Sequence, residues 1–399
     1  MKRLLRIGCS TFILSFIPII SWFLIGVILD PNYINVFSIT YPIQFVSWLI
    51  LSIFSVGANV SQYKDKKENS ILSGMTLGLV VTIICAVIGI FITEPYLVFM
   101  NVDVAFYKDF VIYDILSIFI RTLFSMVLQK LYFEEKDKKA TIYSIVYNCL
   151  NLIVFVGLAL ITKNHAIIIG VTLSIMVLYT LVLFFMQYKK FCLSFNILSN
   201  IKYESENIII DIALFITYFV GFSNTFVFGE EYIAAINFIT LITDPQWDAC
   251  EAIKTVAKID IVNKQYNFKK STLQSLAYIG ILLSTSVVMF FSLFSLYEIQ
   301  LSLGLIYLGC ECLAFLLSAM NYYFEPVCQL EYSPTKNTIF SIVSYTLRTI
   351  LSISIPLAFC TQIGQLSACI LLIIVMLIIK KKYFTTNQNG YLVNKKEVE

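Results

Sequence analysis

Apolar residues run along this chain in stretches of about twenty, the length of helix that crosses a hydrocarbon core about 30 Å thick. Twelve such stretches can be read, at 4–29, 34–58, 71–92, 105–128, 141–161, 166–185, 207–228, 232–254, 272–294, 299–322, 338–359 and 363–379. The polar breaks between them are mostly short: DPNY after the first, TKNH after the fifth, GEE after the seventh. A longer break, 187–206, falls at mid-chain. The pattern predicts an all-α polytopic membrane protein of about twelve transmembrane helices in two six-helix bundles. The N-terminal lobe is 1–190, a cytoplasmic linker 191–206, the C-terminal lobe 207–382 and a polar cytoplasmic tail 383–399. The first stretch has a basic start, but it is too long for a cleaved signal and has no small-residue cleavage site, so it reads as a span.

Charge adds orientation. With the N-terminus inside and the spans alternating, 23 of the 28 Lys and Arg fall on the inner side. Lys108 and Lys163 fall outside, and Arg121, Lys254 and Arg348 lie within spans. A miscounted span would scramble this separation, so both termini are expected in the cytoplasm. The basic residues then serve as inner-leaflet anchors, and the net charge of +3 requires no nucleic-acid partner.

The halves echo each other. TIYSIV at 141–146 recurs as TIFSIV at 338–343, YKDKKENSIL at 63–72 resembles YNFKKSTL at 266–273, and Pro42 in YPIQFVSW has a counterpart in Pro245 of DPQWDAC. The first offset pairs Asp114 with Glu311. YFEE at 132–135 and YFEP at 323–326 give a second register. Two halves of six spans, both beginning inside, make a parallel repeat, and duplicated bundles with interrupted helices and buried acids characterise secondary transporters.

Composition narrows the chemistry. Hydrophobic residues make up 59% and charged residues 13%, against about 25% charged in soluble domains. The ten cysteines are scattered through apolar segments without metal-ligand spacing and read as small core residues. His165 is the only histidine and falls in a short loop, which argues against His-based catalysis and metal sites. No enzyme activity and no cofactor are expected, beyond a coupling proton or sodium ion.

The chemistry concentrates in TDPQWDACEAIKTVAK at 243–258, in the eighth span. A charge at the bilayer centre costs about 2.5–3.5 kcal/mol on insertion scales, and here Asp244, Asp248 and Glu251 share one helix face. They are the candidate ion or proton site. The bland alternative is internal pairing, Glu251 with Lys254 at i,i+3. Lys254 and Lys258 are expected to snorkel to the inner interface, and Asp211 to be solvated at the inner start of its span. Pro245, and Pro42 in the second span, should kink or open their helices as hinges. Asp114 and Arg121, seven apart on the fourth span, and Glu311 with Arg348 read first as structural ion pairs, second as substrate or ion contacts. Tyr41, Trp48, Tyr218, Trp247 and Phe222 are candidates to line an aromatic cleft for lipophilic cations.

These features together resemble the multidrug and toxic compound extrusion (MATE) family, within the superfamily that also holds polysaccharide-lipid flippases. The likeness rests on SVGANVSQYKDKKENSILSG at 55–74, on LYFEEKDKKATIYSIVYNCLNLIV at 131–154 with Asn148 and Asn151, on Pro18, and on the 6+6 layout. It implies an ion-coupled exporter of small amphipathic or cationic compounds, monomeric, with substrate and lipid bilayer as its partners. Family members often carry an ion-binding acid in the first span. Here that span has only Ser10, Thr11, Ser15 and Ser21, with Asp30 at its outer end. The alternatives are a flippase for a lipid-linked or polar lipid substrate, and a degenerate transporter acting as a membrane partner protein.

Overall fold

The computed structural model describes residues 1–66, 68–99, 102–188, 190, 197–225, 230–294, 300–322, 324–354, 360–386 and 392–394. Its helices are α1 (Lys2–Ile28), α2 (Asn35–Leu51), α3 (Gly57–Lys64), α4 (Ser70–Phe99), α5 (Val104–Phe133), α6 (Asp137–Ile161), α7 (His165–Gln187), α8 (Ile197–Thr225), α9 (Glu230–Val262), α10 (Phe268–Leu293), α11 (Leu301–Tyr322), α12 (Glu325–Val327), α13 (Pro334–Ser354) and α14 (Cys360–Tyr383). A wide helical turn at Ser52–Val56 joins α2 to α3, and another at Cys328–Tyr332 follows α12. Among the described residues, nine spans are long and apolar enough to cross a membrane. The helices α8, α9 and α13 supply the remaining spans, their hydropathy lowered by the charged groups described below. The tail adds two short antiparallel strands, Phe384–Thr386 and Leu392–Asn394.

The chain divides into two compact units, Ile13–Glu204 and Met1–Phe12 with Ser205–Glu399. In the first, α5 is the central helix and packs against α2, α4 and α7. Its start is capped by Asp103, which accepts from the N–H groups of Ala105 and Phe106. Rings bond it to α6, Phe124 stacking on Tyr147 at 4.3 Å and Tyr113 on Phe155 at 4.5 Å. The outer helix α4 instead exposes Val80, Ile83, Ile84, Val87 and Phe91. Helical spacing of exposed apolar residues is the mark of a face turned to lipid. In the second unit, Phe238 and Ile242 of α9 pack with Phe290 of α10 and Tyr307 of α11.

The repeat extends to loop geometry. Lys66, after the second span, and Lys264, after the eighth, both adopt a left-handed backbone, with φ of 52° and 57°.

Two elements refine the sequence expectation. Both α2 and α9 continue as helix through their prolines, Pro42 and Pro245, so neither opens there, and the irregular turn of the second span falls at Ser52–Val56. Part of the expected linker 191–206 is helix, since α8 begins at Ile197. Its first turns are fastened within the N-terminal unit: Ser61 donates to Ser199, Ser70 to Asn200, and Tyr203 to Asp65. The contact is close enough that a Cβ on Gly57 would lie 2.6 Å from the Asn200 carbonyl oxygen. Gly57→Ala is therefore expected to cost roughly 1–3 kcal/mol, the range for overpacking, read as a lower melting temperature in detergent.

Candidate functional site

Each unit holds a buried acid on the fourth helix of its half. In the N-terminal unit it is Asp114 of α5, 5% exposed. Its Oδ1 accepts the Trp22 indole N–H from α1 at 3.1 Å, and its Oδ2 accepts the Thr40 hydroxyl from α2 at 2.5 Å. Phe110, Tyr113 and Phe155 pack edge-on around Trp22, with centroids 5.4–5.8 Å away. In the C-terminal unit it is Glu311 of α11, 8% exposed. It accepts the Trp247 N–H from α9 at 2.9 Å and the Gln365 amide from α14 at 3.4 Å. The Trp247 ring stacks on Phe315 at 4.2 Å.

The shared arrangement gives structural weight to the register that pairs Asp114 with Glu311. It also corrects the expected ion pairs. Neither acid forms a salt bridge with its arginine. The Arg121 guanidinium donates to the Leu14 carbonyl at 3.1 Å, and Arg348 lies over the Tyr345 ring. Both acids take neutral donors instead. An indole N–H can only donate, so this geometry suits an acceptor oxygen held in an apolar cage.

The C-terminal unit contains a second and larger cluster. Lys254 of α9 is 4% exposed, with its Nζ 3.1 Å from Glu325 at the start of α12 and 3.6 Å from Glu251 one turn back. Its ammonium also sits over the Tyr322 ring, 4.4 Å from the centroid. Glu206 of α8, 1% exposed, accepts from the Asn337 amide and from the Ser341 hydroxyl, both on α13. Lys258 is buried nearby, and its field reaches both Glu206 and Glu325. With every group in its ordinary state at neutral pH, the buried Glu206 and Glu325 balance the two ammoniums, and Glu251, with 48% of its side chain exposed, adds one negative charge at the open edge of the cluster. An extra carboxylate at that edge attracts one proton or one monovalent cation.

The structure sorts the sequence-predicted residues. Glu251 joins the cluster, and its pairing with Lys254 is present. Asp244 and Asp248 are half-buried on α9. Lys254 and Lys258 do not snorkel and Asp211 is not solvated, because all three are buried. Of the aromatic candidates, Tyr41 is buried in an edge-to-face run with Phe45 and Trp48. Tyr218 and Trp247 are half-buried, and the Phe222 side chain lies outside the described residues. Glu206 and Glu325 were missed as site residues, because the first fell in the expected linker and the second just beyond a span. The available signal was a pair of acids, one flanking each of two spans, on the same inner side as an intramembrane lysine.

No protein-family model matches this sequence, and none of the curated proteins does. Solved structures do match in fold. One is an outward-facing multidrug resistance MATE family transporter of the MOP superfamily, 15% identical, with a TM-score of 0.66 over 95% of each chain. A second is a MOP superfamily transporter from Pyrococcus furiosus, described as having a binding pocket of reversed polarity that suggests a different function. It is 14% identical, with a TM-score of 0.69 over 96% of each chain. A third is a MATE structure in the straight conformation, 14% identical, with a TM-score of 0.69 over 94% of this chain and 95% of that one. The protein thus has the twelve-helix, two-bundle fold of the MATE transporters and is an integral multi-pass membrane protein.

Proposed function

We propose that this protein is an ion-coupled efflux transporter for small amphipathic or cationic compounds, working by alternating access between its two lobes. It sits in the cell membrane with both termini in the cytoplasm, as the distribution of Lys and Arg requires. The observation that carries the reading is the fold match, which extends over about 95% of both chains.

The extra acid, Glu251, at the open edge of the Glu206, Lys254 and Glu325 cluster supports coupling to a proton or sodium ion. Asp248 and Asp244 continue the line of acids along α9 from Glu251 toward the outer side, a route by which the ion can reach the cluster. The lipid-flippase reading is weaker, because two of the three bases within the spans are already engaged. Lys254 is tied to Glu325 and Glu251, and Arg121 to a backbone carbonyl.

The test is reconstitution into liposomes with a fluorescent organic cation. Counter-movement of the cation is expected to accelerate about tenfold under an opposing proton or sodium gradient and to collapse with the matching ionophore; one elementary charge at 100 mV already supplies about 2.3 kcal/mol. Movement indifferent to both gradients would remove the coupling, and no movement would remove the transporter.

A further inference from the structure

Two sets of lysines meet at one corner of the C-terminal unit. Lys269 and Lys270 lie in the first turn of α10, and Lys380, Lys381 and Lys382 in the last turn of α14. A single contact joins the two helix ends: the Lys380 ammonium lies over the buried Phe268 ring, 4.2 Å from its centroid. Such a cation–π contact holds the stem of Lys380 in place, while Lys269, Lys270, Lys381 and Lys382 are exposed. Neither α10 nor α14 contains an Asp or Glu. An acid near this corner, Asp260, is paired with Arg3 at 3.0 Å, and its field reaches the N-terminal amine together with that of Lys270.

Each helix continues from its lysines into an apolar stripe. On α10, Leu273 and Leu276 follow Lys269 at i+4 and i+7, and on α14, Leu377 and Ile374 precede Lys381 at the same spacings. Those spacings put each lysine and its two apolar residues on one helix face, and all four apolar side chains are exposed. Both stripes turned to lipid therefore end in ammonium groups, and α11 packs against both helices that carry them. The matching corner of the N-terminal unit is built differently. There YKDKKENSIL, the counterpart of YNFKKSTL, has Asp65 in place of Phe268 and adds Glu68, and Asp65 accepts from Tyr203. Basic residues beside a span attract anionic lipid, but their field fades over a Debye length, about 8 Å at physiological salt. Lysines scattered around a rim act singly, whereas lysines of two helices held at one contact act on the same phosphate.

We infer that the α10 and α14 corner is a binding site for one anionic phospholipid of the inner leaflet, with its phosphate among Lys269, Lys270, Lys381 and Lys382 and its acyl chains along the two apolar stripes. This is narrower than a general anchoring of the inner rim, because it assigns one headgroup to one unit. It does not depend on the transport reading, since lipid binds the resting protein.

The test is native mass spectrometry of the detergent-purified full chain, titrated with phosphatidylglycerol or with phosphatidylcholine of the same acyl chains. The parent is expected to bind the first phosphatidylglycerol about tenfold more tightly than phosphatidylcholine. In Lys269→Gln/Lys270→Gln/Lys381→Gln/Lys382→Gln the two lipids should bind within about twofold of each other, and either helix's pair of substitutions alone should lower the preference about threefold. The comparison is Lys66→Gln/Lys138→Gln/Lys139→Gln/Lys190→Gln, which removes four exposed lysines from the N-terminal unit and should leave the preference within about twofold of the parent. Circular dichroism verifies the fold of each variant. A parent without preference, or an equal loss in both quadruple variants, overturns the site in favour of diffuse charge. Loss from one pair alone overturns its construction from two helices. Displacement of the lipid by millimolar inorganic phosphate would make it a site for the free anion and overturn the lipid. Because no transport is measured, a failed liposome experiment leaves this result intact, and the reverse also holds.

Discussion

Lys254→Met is expected to cost about 3–5 kcal/mol of stability, the range for removing one partner from a buried ion pair. Lys254 and Glu325 are each 4% exposed, and their side chains meet at 3.1 Å. Methionine keeps most of the stem's volume, so what is lost is charge and not packing. Glu325 would keep its charge without the cation that touches it, and Glu206 would lose the field of the same ammonium. The double variant Lys254→Met/Glu325→Gln should recover most of the loss, because a neutral pair of similar shape needs no compensation. The pH dependence has a definite sign. Below about 4.3, the ordinary value for Glu, the carboxyls take up protons and the single variant should approach the parent. As pH rises, the uncompensated charge must be carried in the folded state and the deficit widens. Melting curves in detergent from low to high pH read all of this. Had Lys254 been a snorkelling lysine, the effect would be under about 1 kcal/mol and nearly independent of Glu325. A single variant as stable as the parent at high pH would therefore remove the lysine's assigned role.

That lysine also marks where sequence reasoning stops. Apolar run length placed spans well wherever they were apolar throughout. The span read at 141–161 is α6, Asp137–Ile161, and the one at 166–185 is α7, His165–Gln187. It failed where a helix is charged for a tertiary reason. The start of α8 carries Lys202, Glu204 and Glu206, which hydropathy reads as linker, yet Glu204 and Glu206 are both buried. Nothing local says that Glu206 meets Asn337 and Ser341 or that Glu325 meets Lys254, since their partners come from helices far along the chain. The same limit explains the arginines. Seven-residue spacing put Asp114 and Arg121 on one helix face, but a face is not a contact, and Trp22 and Thr40 from other helices reached the acid first. The acids on the fourth helix of each half were legible from the repeat offset, but the indole each accepts was not. It comes from the first span in one half and from the eighth, the second of its half, in the other.

Glu206→Gln is expected to abolish coupling while sparing the fold. Glu206 is bonded to an amide and a hydroxyl, not to a lysine, so its charge is the part of the cluster that no direct ion pair cancels. Glutamine keeps the carbonyl for the Asn337 amide and can donate to the Ser341 oxygen, so both hydrogen bonds survive in altered polarity. What disappears is the buried negative charge that no lysine touches directly, and with it the carboxylate that can take up a proton or cation during each cycle. Gradient-driven movement of the fluorescent cation should fall by at least about tenfold, whereas substrate affinity without a gradient should change by less than about twofold, because a ligand shifts an equilibrium only through contacts that differ between states. Asp244→Asn, measured beside it, separates two positions for the ion. Loss of coupling in Glu206→Gln alone places the ion at the cluster. Loss in Asp244→Asn alone moves it toward the outer half of α9, and loss in both makes the acids along α9 part of one path. Coupled transport unchanged in both variants would reduce the cluster to a structural clamp, with its lysine holding α9 to α12.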